Sequence, residues 1–227
     1  ARGEAKRGRE GTAIFAEEQT GGRGRFGRKW VAPRFSSLLF STALWSRGAR
    51  VHPDTLALAG AAAVAEAVTQ TFGPAARIKW PNDVVVDGRK ISGILVEGLA
   101  PEAEGQWLVI GTGVNVNLDM AEMPKELQAT AGSISQLVGH EVDRALLARA
   151  ILRRLDFWWE VLAAGEVARL SEHVRRFSSI MGSFVTVESK GKRYAGRVVD
   201  VDAEVGLVLQ MGGGATRIFA PGEASLV

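Results

Sequence analysis

The chain has 227 residues, 46% of them apolar, which is enough for a real core and excludes disordered and fibrous classes. It contains no cysteine, so a disulfide framework, a thiolate metal site and a thiol nucleophile are excluded. The net charge is only +3, but Arg23, Arg25, Arg28 and Lys29 crowd into one Gly-rich stretch, which points to a local anion site rather than a nucleic-acid surface.

The leading residues Ala1–Arg7 carry no apolar signal core, and no apolar run reaches the length that spans a bilayer. The expectation is a cytoplasmic protein without membrane contact. Thr12–Glu18 predicts a short strand, and Gln19–Arg34 a loop with glycines at 21, 22, 24 and 27. Ser37–Trp45 predicts a strand. Pro53-Asp54 opens a helix that runs to about Phe72, where Gly73-Pro74 stops it. Its Ala-rich stretch Leu56–Val68 suits a buried amphipathic helix. Ala76–Lys79 leads into the Trp80-Pro81-Asn82 turn, and Asp83–Val86 meets Ile91–Glu97 through the hairpin signal Asp87-Gly88.

Trp107–Asn117 predicts another strand, and its Gly111 and Gly113 mark a bulge or something pressed close to the backbone. The stretch 119–140 reads as irregular with short helical pieces. Asp143–Ala164 and Glu166–Ser178 predict amphipathic helices. From Met181 short Val-rich runs (Phe184–Glu188, Tyr194–Val201, Leu207–Gln210, Thr216–Phe219) alternate with Gly and Asp turns, which predicts a small all-β barrel from about residue 180.

Four stretches could carry chemistry. In Gly22–Arg28, arginines sit among glycines that let backbone N–H groups turn toward a phosphate; the plainer reading is a solvated basic loop. In Lys79-Trp80-Pro81-Asn82-Asp83, Asn can read an adenine edge and Asp can hold a metal-bound water or an amine; the plainer reading is an ordinary turn. Lys90, after the hairpin, can be aimed at a fixed point charge or be a surface lysine. In Ile110–Asn117, Gly111 and Gly113 let a flat ligand approach, and Asn115 offers an amide. The third glycine of a dinucleotide fingerprint is missing, so that reading fails. His52, His140 and His173 have no metal-ligand spacing.

These four stretches, in this order, resemble the signatures of the biotin protein ligases, and the match covers nearly the whole chain. The resemblance implies an α+β fold: a mixed β-sheet with helices, of the class II synthetase and biotin–lipoate ligase type, over residues 1–179, and an SH3-like C-terminal barrel over 180–227. It implies biotin and ATP as substrates, Mg²⁺, and a lysine on the biotin carboxyl carrier protein of acetyl-CoA carboxylase or a similar enzyme as acceptor. By the same resemblance Gln19, Gly22, Arg23, Arg25, Lys90, Gly93 and Gly111 would contact biotin. Arg25, Arg28, Trp30, Lys79, Asn82 and Asn115 would hold the nucleotide, and Lys90, Arg25 and Asp83 would carry the chemistry.

Longer family members begin with a helix-turn-helix; this chain is expected to lack it and not to bind DNA. The family also opens its catalytic domain with a strand and a Ser-Thr-Asn segment. Ala1–Gly11 looks like the end of the following helix, so the chain is expected to start after that segment. Dimerisation through the catalytic sheet is expected by analogy. The competing readings are a lipoate ligase of the same architecture and a non-catalytic module that binds RNA or protein.

Overall fold

The computed structural model describes residues 1–48 and 51–227. A short helix α1 (Arg2–Ala5) precedes β1 (Ala13–Ala16) and β2 (Ser37–Arg47). Helix α2 (Pro53–Phe72) follows; it is capped by His52, whose Nδ1 accepts from Asp54 N at 3.3 Å, and stopped by Gly73 at φ 90°. Strands β3 (Arg77–Lys79), β4 (Asp83–Val86), β5 (Arg89–Gly98) and β6 (Gly105–Asn115) come next. Short helices α3 (Lys125–Gln128) and α4 (Ile134–Val138) lead to the long α5 (Arg144–Ala163) and α6 (Val167–Phe177).

Six strands form one sheet in the order β1-β2-β6-β5-β4-β3, with every ladder antiparallel. Among the described residues, parallel pairing enters only through the isolated bridges Ile78–Ser178 and Lys90–Ala131. The Asp87-Gly88 hairpin turns as its sequence demands, with φ of 49° and 75°. One face of the sheet carries Val84, Val86, Ile94, Leu108 and Ile110 into a core with α2 and α5. Gly60 of α2 is part of that fit: a Cβ there would lie 2.8 Å from Ile110 Cδ1 and 3.0 Å from Ile94 Cγ2.

Helix α2 corrects one expectation. It is long and apolar enough, by composition, to pass for a membrane span, although 72% of its apolar window is buried inside the protein. Its alanines let it pack against the sheet on one side and α5 on the other.

The C-terminal strands β7 (Phe184–Ser189), β8 (Lys192–Asp202), β9 (Gly206–Met211), β10 (Thr216–Phe219) and β11 (Ala224–Leu226) form a second antiparallel sheet in the order β10-β9-β8-β7-β11. Among the described residues no ladder joins β10 to β11, so the sheet is open and not the closed barrel expected. Its buried side chains, among them Val187, Val198 and Leu207, are continuous with the main core. The junction is also polar. Thr55 Oγ1 of α2 donates to Ala203 O at 2.9 Å, Ala203 N donates to Ser171 Oγ at 3.0 Å, and Arg175 bridges Asp200 (2.6 Å) and Asp202 (2.7 Å).

Candidate functional site

The face of the main sheet away from α2 carries the site. Side chains alternate along a strand, so Gly93, Leu95 and Glu97 of β5 share that face, as do Val109, Gly111, Gly113 and Asn115 of β6. The register sets Gly93 opposite Gly113 and Leu95 opposite Gly111; on the other side Leu39 faces Gly113 and Ser41 faces Gly111. Three adjacent glycines thus leave a low strip in the sheet between taller neighbours.

Trp30 lies on that strip. A Cβ at Gly113 would sit 2.7 Å from Trp30 Cε2, and one at Gly93 would sit 3.1 Å from Trp30 Cζ3. The glycines in β6 therefore mark close approach, not a bulge. The bulge lies in the neighbouring β5, where Lys90-Ile91-Ser92 spans only Val85-Val84 of β4 and Ile91 is the extra residue. It pairs Lys90 with Val85 on the cavity face, whereas an unbroken alternation from Gly93 would turn Lys90 toward the core. Lys90 Nζ consequently reaches Asp83 Oδ1 at 2.6 Å and stands 5.6 Å from the centre of the Trp30 ring.

The Gly-rich loop is folded back on itself. Trp30 N donates to Gly22 O at 3.1 Å and Gly24 N to Arg28 O at 2.7 Å. Phe26 (φ 54°) and Gly27 (φ 74°) turn its tip through left-handed conformations. Arg25 is half-buried, donating to the carbonyl of Pro221, to Ala224 O at 3.4 Å and to Asn82 Oδ1 at 3.5 Å. Burial lowers its pKa below the ordinary arginine value and nearby Arg28 adds to this, while Asp54 and Asp83 oppose it. The guanidinium thus stands half-buried at the cavity wall with carbonyl and amide oxygens, but no carboxylate, as its hydrogen-bond partners.

These elements enclose a cavity of about 460 Å³. It is lined by Gln19, Arg23, Arg25, Arg28, Trp30, Lys79, Asn82, Asp83, Lys90, Gly93, Gly111 and Asn115, which are all but one of the site residues singled out in the sequence. The exception is Gly22, packed against the backbone at the base of the loop; a Cβ there would be 2.5 Å from Trp30 O. Two asparagines are more committed than expected. Asn82 Nδ2 donates to Ile94 O at 2.6 Å, and Asn115 Nδ2 donates to Gly132 O at 3.0 Å. Asn115 keeps Oδ1 as acceptor capacity for a ligand, whereas Asn82 Oδ1 already takes the Arg25 guanidinium at 3.5 Å.

The cavity also includes residues that sequence reasoning missed. Glu97 lines it, as do Met123 and Leu127 near α3 and Ser225 and Leu226 of β11. Glu97 follows from the alternation that picks out Gly93. The β11 residues carried no signal, because Ala-Ser-Leu after Pro-Gly gives too short a run to predict a strand. Among the described residues no cluster of three or more His, Cys, Asp or Glu side chains is placed to hold a metal.

A mixed-charge cavity with a glycine floor and several cations, set on an antiparallel sheet, is chemically suited to a flat ligand together with an anion. Comparison with known proteins makes this specific. Residues 6–115 match the Biotin/lipoate A/B protein ligase family. The biotin–[acetyl-CoA-carboxylase] ligase of Mycobacterium tuberculosis is 32% identical over 212 residues, covering 90% of this chain and 75% of that protein. The bifunctional ligase/repressor BirA of Bacillus subtilis is 29% identical over 93% of this chain, which spans 65% of that relative's length. Among solved structures, the biotin protein ligase from Aquifex aeolicus in complex with biotin and ATP superposes with a TM-score of 0.85 at 27% identity, covering 96% of this chain and 90% of that one. The chain belongs to the biotin/lipoate ligase family.

Proposed function

We propose that the protein activates biotin with ATP and transfers it to a lysine of a biotin carboxyl carrier protein. The observation that carries this reading is the convergence of Arg25, Arg28 and Lys90 on one glycine-floored cavity. It is supported by the relatives' names and by the biotin and ATP complex of the Aquifex protein.

A carboxylate is a poor electrophile toward an amine in water. In the proposed first step the biotin carboxylate attacks the α-phosphate of ATP, pyrophosphate leaves, and biotinyl-5′-AMP remains. Negative charge grows around the phosphorus, and Lys90, Arg25 and Arg28 stabilise it; one such donor is worth on the order of 3–4 kcal/mol in the transition state. To act, Lys90 exchanges Asp83 for the substrate anion. Asp83 is then free to orient the acceptor lysine, whose ordinary pKa of about 10.4 requires it to lose a proton before attack. The amine forms an amide with the biotinyl carbonyl carbon and AMP departs.

Trp30 packs beside the purine in this reading, and Asn82 and Asn115 offer Oδ1 to its exocyclic amine. Gln19, Arg23, Gly93 and Gly111 border the biotin slot, with Gly22 shaping the loop behind it, and Lys79 stands on the phosphate side. Magnesium comes as part of the nucleotide substrate. The carboxylates that line the cavity, Asp83 and Glu97, are both paired with cations, so they do not fit a resident metal and no step runs through one.

The division into a catalytic part (1–179) and an SH3-like part (180–227), a cytoplasmic location and pairing of two copies through the sheet belong to the same proposal. Incubation with MgATP, biotin and a carrier domain, followed by intact mass, tests it. The expected result is one biotinyl group on the carrier and AMP in solution. Equal use of lipoate, or RNA binding without ATP turnover, would replace the reading.

A further inference from the structure

Glu97 stands near the end of β5, on the cavity face shared with Gly93 and Leu95. Arg23 meets its carboxylate as a fork. Nη1 lies 3.1 Å from Oε1, and Nη2 donates to Oε2 at 3.1 Å. Arg2, from α1, donates to Oε1 as well. A carboxylate gripped by two guanidinium groups, one of them bidentate, is fixed in direction as well as in place.

Arg23 sits at the base of the arginine loop. Its backbone bridges Lys29 across the loop, and the adjacent Gly22 carbonyl takes the Trp30 N–H. The fork on Glu97 therefore holds both ends of the loop against β5. The tip is held separately, by Arg25 on the C-terminal carbonyls.

We propose that Glu97 is a positioning residue. Through Arg23 it anchors the base of the arginine loop, so that Arg25 and Arg28 are presented to the cavity already ordered; Arg2 adds a second cation on the same carboxylate. An exposed ion pair adds little to global stability, and Arg23 is 61% exposed. The effect of the anchor is therefore local: it sets how often the loop opens, not whether the protein folds. The consequence for catalysis rests on the ligase reading, but the anchor itself can be measured without any substrate.

Trypsin cleaves after Arg and Lys, so Arg23, Arg25, Arg28 and Lys29 make the loop its own reporter. In the ligand-free protein, Glu97→Gln is expected to speed cleavage inside the loop roughly three- to tenfold while the urea midpoint stays that of the wild type. Glu97→Asp, which keeps the charge but shortens the reach, is expected to fall between the two, and Arg2→Ala closer to wild type. In adenylation assays Glu97→Gln is expected to raise KM for biotin by more than it lowers kcat. Wild-type cleavage rates in Glu97→Gln, or faster cleavage accompanied by an equal fall in global stability, would overturn the anchor. Faster cleavage of the loop in a protein whose wild type forms no adenylate would uphold the anchor and contradict the ligase reading instead.

Discussion

Lys90 Nζ and Asp83 Oδ1 lie 2.6 Å apart on neighbouring strands, at the edge of a cavity they share. A β-bulge between them aims the lysine there. The pair keeps a cation and a carboxylate in reserve, each neutralised by the other until a ligand offers a better partner. Replacing Lys90 by Ala frees Asp83 and removes the cation. Biotin binding is expected to survive within about tenfold, and adenylate formation to fall by about 10²–10³. Calorimetry and pyrophosphate release measure the two effects separately. Wild-type-like pyrophosphate release in Lys90→Ala would remove the lysine from the mechanism.

Arg25 ties the loop to the carbonyls of Pro221 and Ala224 and so to the second sheet. Hydrogen bonds from a charged donor contribute about 1.5–3 kcal/mol each. Arg25→Gly is expected to loosen the closed loop, to speed the escape of biotinyl-5′-AMP by about tenfold or more, and to spread biotin over bystander lysines. Peptide mapping of a mixture with an unrelated protein reads this out. Labelling confined to the carrier lysine would show that the loop is not the clamp.

The glycine strip admits a narrow test. A methyl group at Gly113 would meet Trp30 Cε2 at 2.7 Å, with Cζ2 at 2.8 Å. Gly113→Ala must push the indole off the strip. Overpacking costs about 1–3 kcal/mol, and here most of it falls on the local loop. Biotin and ATP affinities are expected to fall at least about tenfold with only a small change in unfolding midpoint. Unchanged affinity would mean that the indole does not form part of the site.

Away from the cavity, His173 of α6 is stacked on Phe177 with ring centres 4.4 Å apart, edge-on to Trp158, and its Nε2 is 3.4 Å from Glu66 Oε1 of α2. Arg154 of α5 donates to the other oxygen of Glu66 at 2.5 Å. Burial lowers the His173 pKa below the ordinary 6.5; Glu66 opposes this, while Arg154 and Arg176 add to it. The folded protein thus binds a proton at His173 less readily than the unfolded chain. Stability from this group is full above pH 6.5 and declines as pH falls below it. Urea midpoints at pH 7.5 and 5.5 check it: His173→Gln is expected to narrow the difference between the two. The same difference in both proteins would contradict the assignment.

Much of this molecule can be read from the chain. Asp87-Gly88 requires left-handed backbone and finds it, and Pro53 and Gly73 bound α2 where the helix signals place them. The motif residues reach one cavity because β5 and β6 alternate and pair in register. Less was legible where partners are distant. Nothing near Glu97 announces an arginine 74 positions away, and nothing in Pro221–Leu226 announces the carbonyls that receive Arg25. The bulged residue, Ile91, is neither glycine nor proline and nothing marks it, so the aim of Lys90 follows only from the register.

In the proposed function a ring of fixed cations makes this cavity an adenylation site. Pyrophosphate release from ATP, measured with and without biotin in the wild type and in Lys90→Ala, tests it most directly. Release is expected to depend on biotin in the wild type and to be lost in the variant. Release that ignores biotin, or that persists when the lysine is gone, would contradict it.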